Sequence, residues 1–128
     1  MAEKIYHIID RLHEEKITKV NAGYRSFDIH TKRVLKDDGE KCYGLTDFDK
    51  SIISLDTSMS PDLAKETLLH ELTHIVLEIC GLGGEGEGGI VRERNNEEIT
   101  TLISRSFLLL MNLNPRLFEI LNEKPNTQ

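Results

Sequence analysis

The stretch SPDLAKETLLHELTHIVLEIC occupies residues 60–80 and predicts an amphipathic helix around which the rest of the chain packs. Ser60 is a favourable N-cap, Pro61 suits the first helical position, and Gly81 predicts that the helix ends just after residue 80. At about 100° per residue, the side chains of this helix separate into two faces. The face expected in the core carries Leu68, Leu72, Ile75 and Ile79, and the opposite face carries Thr67, His70, Glu71, His74 and Glu78.

The polar face contains the pattern His70-Glu71-x-x-His74. Side chains four residues apart lie on one side of a helix, so both imidazoles can bind one metal ion. Glu71 stands where a carboxylate can take a proton from a metal-bound water. The alternative is an ordinary surface helix, but the polar face of such a helix is usually rich in Lys and Glu. Two histidines and a glutamate at its centre therefore favour a metal site.

Composition limits the classes of protein that remain. A chain of 128 residues is the size of one domain, which we place at residues 1–123, followed by a disordered tail at residues 124–128. The net charge of −6 argues against direct binding of nucleic acid, which needs a basic patch. The chain has no apolar run as long as a membrane span and no signal-peptide pattern at its N-terminus. Cys42 and Cys80 form no disulfide framework and are predicted to be buried thiols, so a cytoplasmic protein is expected.

Before residue 60, the patterns predict one further helix and a small sheet. Apolar residues recur at helical spacing over residues 3–16. Alternating patterns predict short strands at residues 17–20, 27–29 and 34–35, and a further pair at 41–44 and 51–55 around a turn at 46–50. The strand at 52–55 has two interpretations that the sequence does not separate. It either pairs an exposed edge with an extended peptide or is a plain core strand.

After residue 80, the glycine-rich residues 81–89 predict either a lid over a cleft or a passive linker. A second helix is predicted over residues 92–112, and a short third one over residues 115–121. The apolar set of the second helix is Ile99, Leu102, Ile103, Leu109, Leu110 and Leu113, and its small-residue face is Thr100, Thr101 and Ser104. That small-residue face would allow a close approach to the first helix. The expected fold class is α+β, with an N-terminal helix and a small, mostly antiparallel sheet before the two longer helices.

Two histidines alone do not complete a catalytic metal site. A catalytic zinc ion takes three protein ligands and leaves one position for water. The next carboxylates along the chain are Glu97 and Glu98, at the start of the second helix, and either would complete a site of two histidines and one glutamate. Such a donor set favours zinc, with one ion per chain. Helical phase does not choose between the two glutamates, because Glu98 lies nearer the apolar stripe.

Over residues 43–115 the chain resembles the zincin metallopeptidases of the gluzincin type, and it is similar to the ImmA/IrrE family and related small phage-type peptidases. The resemblance rests on a strand, the run Leu68-Leu69-His70-Glu71-Leu72-Thr73-His74, and a helix that begins with glutamates. In the second helix, Glu97-Glu98-Ile99-Thr100-Thr101 fits the pattern Glu-x-x-small-Asn/Asp, except that Thr101 stands in the last place. The resemblance implies a minimal zincin-like domain with Glu97 as the third ligand. It also implies cleavage of a specific cytoplasmic protein, such as a repressor, in phage or mobile-element biology.

The expected chemistry is hydrolysis of a peptide bond in a protein or peptide substrate. Glu71 would act as the general base and then pass its proton to the leaving amine. The oxyanion needs a second donor besides zinc, and the candidates are Tyr43, His30 and Arg92. Two alternatives stay open: a catalytically silent protein of this fold that binds a partner through zinc, and a metal-free helical interaction domain. The sequence leaves the oligomeric state open.

Overall fold

The computed structural model describes residues 6–82 and 95–124, and this part of the chain combines helices with a small sheet. In chain order the elements are α1 (Ile8–Glu14), β1 (Lys19–Asn21), β2 (Ser26–Lys32), β3 (Lys36–Asp37), β4 (Glu40–Lys41), β5 (Gly44–Asp47), β6 (Ile52–Asp56), α2 (Pro61–Ile79), α3 (Asn96–Leu113) and α4 (Pro115–Leu121). The predicted α+β class is confirmed. None of the helices in these two ranges has both the length and the apolar character needed to cross a membrane.

Among residues 6–82 and 95–124, the main sheet has four strands in the order β1-β2-β6-β5. Strands β2 and β6 are parallel, whereas the β1–β2 and β5–β6 pairs are antiparallel, so the sheet is mostly antiparallel. Because β6 has a neighbour on each side, the core-strand interpretation of residues 52–55 is correct and the edge-strand interpretation is wrong. The strand at the edge beside β6 is β5. Strands β3 and β4 form a separate two-stranded sheet.

The boundaries of the predicted strands shift where pairing depends on distant residues. Residues 34–35, predicted as a strand, are not one: Leu35 is buried just after a bend at residues 33–34, and its N–H donates to Asp56 Oδ2 at 3.2 Å. The turn predicted at residues 46–50 comes later, because residues 44–47 pair with β6 as β5. The turn ends at Ser51, whose φ of 59° lies in the left-handed region.

Helix α2 forms almost as the sequence predicts, from Pro61 to Ile79. The Ser60 hydroxyl accepts a hydrogen bond from the Leu63 N–H at 3.3 Å, which satisfies one of the free donors at the helix start. The predicted apolar face packs against the sheet, and most of its side chains are fully buried. The largest fully buried side chains of the core include Ile8, Leu12, Phe27, Ile53, Leu55, Leu68, Leu72, Ile75, Leu110 and Ile120.

Helix α3 is rotated relative to its prediction. The expected small-residue face at Thr100, Thr101 and Ser104 is exposed, and Ser106 is buried instead. Leu109, expected in the core, is exposed, whereas Leu110 is fully buried. Residues 107–111 read FLLLM, so five consecutive apolar residues leave the helical phase undefined. The predicted start at residue 92 lies outside the described residues, and α3 begins at Asn96 with Asn95 as its N-cap.

The first and last described helices pack together and close the core. The N-terminal helix begins at Ile8, after the His7 cap, while residues 3–5 of its predicted span lie outside the described residues. Arg11 of α1 forms two hydrogen bonds of 2.9 Å with the carboxylate of Glu123, just after α4. The predicted disordered tail and the predicted lid or linker fall mostly on residues 125–128 and 83–89, which are outside the described residues.

Candidate metal centre and cleft

Successive turns of α2 bring the imidazoles of His70 and His74 together on the exposed side of the helix. Their Nε2 atoms are 3.2 Å apart, and their ring planes are inclined by 78°. Two nitrogens bound to one tetrahedral zinc ion at about 2.05 Å would be separated by about 3.3 Å. A hydrogen bond between the two rings has the same length. The distance therefore fits shared ligation of one ion without any movement of the helix.

Glu71 lies beside the two histidines but is buried, with 4% of its surface exposed. One ligand atom from each of His70, Glu71 and His74 lies within 4.8 Å of the others. The Thr46 hydroxyl donates a hydrogen bond of 2.7 Å to Glu71 Oε1. The carboxylate is thus held between α2 and the edge strand β5, next to the point where the two imidazoles converge.

Strand β5 approaches α2 closely because residue 44 is a glycine. A Cβ atom at Gly44 would lie 2.6 Å from Thr67 Cγ2 and 2.9 Å from Glu71 Oε2. Both distances are too short for a carbon atom to fit in a packed interior without displacing its neighbours. The absence of a side chain at this one position allows the edge strand to contact the helix turn that carries Glu71.

A cleft of about 740 Å³ opens between α2 and the segment that contains β5 and the following turn. Its lining includes five acidic residues, which are Asp37, Asp47, Asp49, Glu71 and Glu78, together with both histidines. Neither lysine nor arginine is found among the described residues that line it. Negative charge without a basic partner favours a bound cation over a bound anion.

A smaller pocket of about 300 Å³ continues past Gly44 on the other side of Glu71. It shares His70 and Glu71 with the cleft, and its remaining lining includes Tyr43 and Leu63. Open space therefore extends to both sides of His70 and Glu71. A chain bound across this pair would have room in both directions.

The structure does not bring every predicted ligand to the histidines. Glu97 and Glu98 are exposed in the first turn of α3 and, although described, neither joins the group formed by His70, Glu71 and His74. They line a separate pocket with Thr101 and Leu102. The third metal ligand therefore stays a prediction.

The three predicted oxyanion donors have different positions. Tyr43 is 43% exposed and borders the smaller pocket next to His70 and Glu71. His30 pairs with Ser54, whereas Thr46, which faces α2, pairs with the neighbouring residue Ile53. Because successive residues of a strand point to opposite faces of the sheet, His30 lies on the face away from α2. Arg92 lies outside the described residues. Of the two placed candidates, Tyr43 is the one that lines a pocket together with His70 and Glu71.

The cysteines are free thiols as predicted, but they are half-buried, whereas the sequence predicted buried ones. Burial, together with the nearby carboxylates of Asp37 and Glu71, raises the pKa of the Cys42 thiol. A thiol that resists deprotonation is a poor metal ligand, since metals bind the thiolate. The imidazole and carboxylate groups are therefore the stronger candidate metal ligands of this region.

Sequence reasoning missed the contributions of Thr46 and Gly44. The sequence pattern predicts a turn at Thr46, but residues 44–47 form a strand, and the Thr46 side chain faces α2. Glycine is uncommon in strands, and a glycine inside one often marks a close backbone approach. Gly44, placed at the end of a predicted strand and two residues before the β-branched Thr46, is the signal that the sequence offers.

The chain matches no protein-family model, no curated protein and no solved structure. The site is thus defined by its own geometry: two converging imidazoles, a buried carboxylate beside them, and an edge strand along the cleft.

Proposed function

We propose that the protein is a zinc-dependent endopeptidase of the zincin type that cleaves a specific intracellular protein. The observation that carries this proposal is the convergence of His70 and His74 Nε2 at 3.2 Å, with the Glu71 carboxylate within 4.8 Å. A surface helix has no need for a buried glutamate between two exposed histidines. A metal hydrolase requires the glutamate as a general base and the two histidines as metal ligands.

The proposed ligands are His70, His74 and Glu97, with Glu98 as the alternative to Glu97. Both glutamates stand in the first turn of α3, a helix that packs against α2. The acidic lining of the cleft adds a favourable field for a divalent cation. Imidazole nitrogens with a carboxylate oxygen are an established donor set for catalytic zinc.

The chain's own residues would carry the proton transfers. A bound zinc ion supplies a Lewis acid that lowers the pKa of water and polarises a carbonyl. Glu71 accepts the proton of the attacking water and donates it to the leaving amine nitrogen as the peptide bond breaks. Tyr43 lines the smaller pocket, and its hydroxyl is the proposed second donor to the oxyanion.

Strand β5 is the proposed docking edge for the substrate. An extended peptide can add to the edge of a sheet through main-chain hydrogen bonds, while pockets select its side chains. Strand β5 is an outer strand, and its residues line the cleft that contains both histidines and Glu71. A regulator or repressor as the substrate is the class that the family resemblance suggests.

The first experiment measures metal content by elemental analysis in wild type and in Glu97→Ala, Glu98→Ala and Glu78→Ala. Glu78 is the matched control, because its carboxylate lines the same cleft as the histidines. We expect one zinc ion per chain in wild type and in Glu78→Ala, and loss of zinc in Glu97→Ala. Loss in Glu98→Ala instead would transfer the ligand role to Glu98, and loss in Glu78→Ala would contradict both assignments.

The second experiment measures cleavage of a peptide library, prepared from a whole-cell lysate by chymotrypsin, with new termini identified by mass spectrometry. Glu71→Gln should retain zinc and lose cleavage by about 10²–10⁴-fold, the usual contribution of a general base. Zinc without cleavage in wild type would favour the catalytically silent docking protein. Absence of zinc after reconstitution would favour a metal-free interaction domain.

A further inference from the structure

We infer that Thr46 is a positioning residue for Glu71, which holds the carboxylate in its working orientation before substrate binds. The inference rests on the proposed function and adds to it a residue outside the His-Glu-x-x-His pattern. Its basis is the hydrogen bond of 2.7 Å from Thr46 Oγ1 to Glu71 Oε1. That bond joins the edge strand to the proposed general base.

Thr46 is itself held rigidly. Its partner across the sheet is Ile53 of β6, which is fully buried, so the strand is fixed from the core side. A β-branched side chain has few χ1 rotamers, and this restricts the positions that the hydroxyl can occupy. The Thr46 hydroxyl therefore donates its hydrogen bond to Glu71 from one direction rather than from a range of directions.

The second carboxylate oxygen is confined by packing. Glu71 Oε2 lies 2.9 Å from the point where a Cβ of residue 44 would be, so it faces the bare backbone of Gly44. A hydroxyl on one oxygen and a close backbone on the other fix the plane of the carboxylate. The glutamate side chain thereby loses most of its rotamer freedom before the reaction begins. The entropy cost of ordering it therefore does not add to the activation free energy of the catalysed step.

Three variants test this role: Thr46→Val removes the hydroxyl at constant shape, Thr46→Ser restores it, and Thr31→Val is the matched control. Thr31 lies on β2, two strands away from β5 in the sheet. On a synthetic peptide taken from the library cleavage, Thr46→Val should lower kcat about tenfold or more while KM changes less than about twofold. Thr46→Ser and Thr31→Val should retain most of the wild-type kcat, and zinc content should be unchanged in all three.

A double-mutant cycle on thermal unfolding provides a readout that needs neither zinc nor substrate. Thr46→Val should lower the unfolding midpoint in wild type, because a buried carboxylate oxygen loses its donor. In a Glu71→Met background the same change should not lower it, since both partners are then apolar. Equal losses in the two backgrounds would show that the hydrogen bond is not formed and would overturn the inference.

The activity data separate this inference from the proposed function. Cleavage by wild type with an unchanged kcat in Thr46→Val, or equal damage in Thr46→Ser, overturns the positioning role alone. Failure of zinc-loaded wild type to cleave any library peptide overturns the proposed function and the positioning role together.

Discussion

At the scale of single residues, Gly44 sets the distance between the edge strand and the helix that bears the site. In Gly44→Ala the new methyl group would meet Thr67 Cγ2 at 2.6 Å, so the strand must move away or Glu71 must shift. Overpacking of this kind costs about 1–3 kcal/mol, and we expect a loss of that size in the free energy of unfolding measured with urea. Zinc content should be retained, because the three atoms nearest to the added methyl belong to Thr67 and Glu71 and not to a histidine.

The companion variant Gly44→Ala/Thr67→Ser removes the methyl group that the alanine would strike. It should recover part of the lost free energy, whereas Thr67→Ser alone should not stabilise the protein. A Gly44→Ala protein as stable as wild type would show that β5 does not pack against α2 this closely.

At the scale of secondary-structure elements, the buried carboxylate of Asp56 joins the end of β6 to two neighbouring segments. It accepts hydrogen bonds from the Leu35 N–H at 3.2 Å and from the Ser58 N–H at 2.7 Å, and also from the Ser58 hydroxyl. Burial by itself would raise the pKa of Asp56, but these hydrogen bonds outweigh it and lower the pKa below its usual value. Asp56→Ala should lose about 1–3 kcal/mol of unfolding free energy at pH 7, because the two N–H groups lose their acceptor.

The pH dependence of this contribution follows from the direction of the shift. Because the folded pKa is lower than the unfolded value of about 3.9, the carboxylate stabilises the protein above that value. The contribution is lost as the pH falls through the folded pKa. Urea unfolding at pH 7 and at pH 3 should therefore show a smaller difference between wild type and Asp56→Ala at pH 3, and an equal difference would refute this account.

At the scale of the whole molecule, Glu123 joins the two ends of the described chain. Its carboxylate receives two hydrogen bonds from Arg11, and its backbone carbonyl accepts one of 2.7 Å from Lys65 Nζ. The Arg11 guanidinium lowers the pKa of Glu123, while burial and the charge of Glu123 raise the pKa of Tyr6 to about 12. We expect Glu123→Gln to lower the thermal unfolding midpoint at pH 7, and by a smaller amount in 1 M salt, where exposed charges are screened.

Glu119→Gln is the matched control for this prediction. Within the described parts of the chain, Glu119 pairs with Arg116 of the same helix at an exposed position, and such pairs contribute little to stability. A Glu119→Gln effect as large as that of Glu123→Gln would mean that the loss reflects total charge and not the closure of α1 onto the C-terminal segment.

The sequence predicts this fold best where the signal is local. The cap at Ser60, together with the proline and the spacing of apolar residues, predicts the C-terminal end of α2 to within one residue. His70, Glu71 and His74 come together because one helix carries all three. The sequence predicts a strand at residues 41–44, whereas β5 spans residues 44–47. Its position depends on pairing with β6, a tertiary contact that the pattern of one short segment does not encode. For the same reason Thr46 was missed: its role depends on a partner 25 residues away.

Strand β5 also bears on self-association, since an unpaired strand edge is a template for pairing with another copy of the same chain. Natural proteins limit this hazard with short edge strands and with charge. Strand β5 has only four residues, and acidic residues of the cleft follow it closely. Two copies meeting edge to edge could form only a short ladder and would bring like charges together. The same short length that would suit the proposed docking of a single extended peptide is thus expected to limit aggregation at this edge.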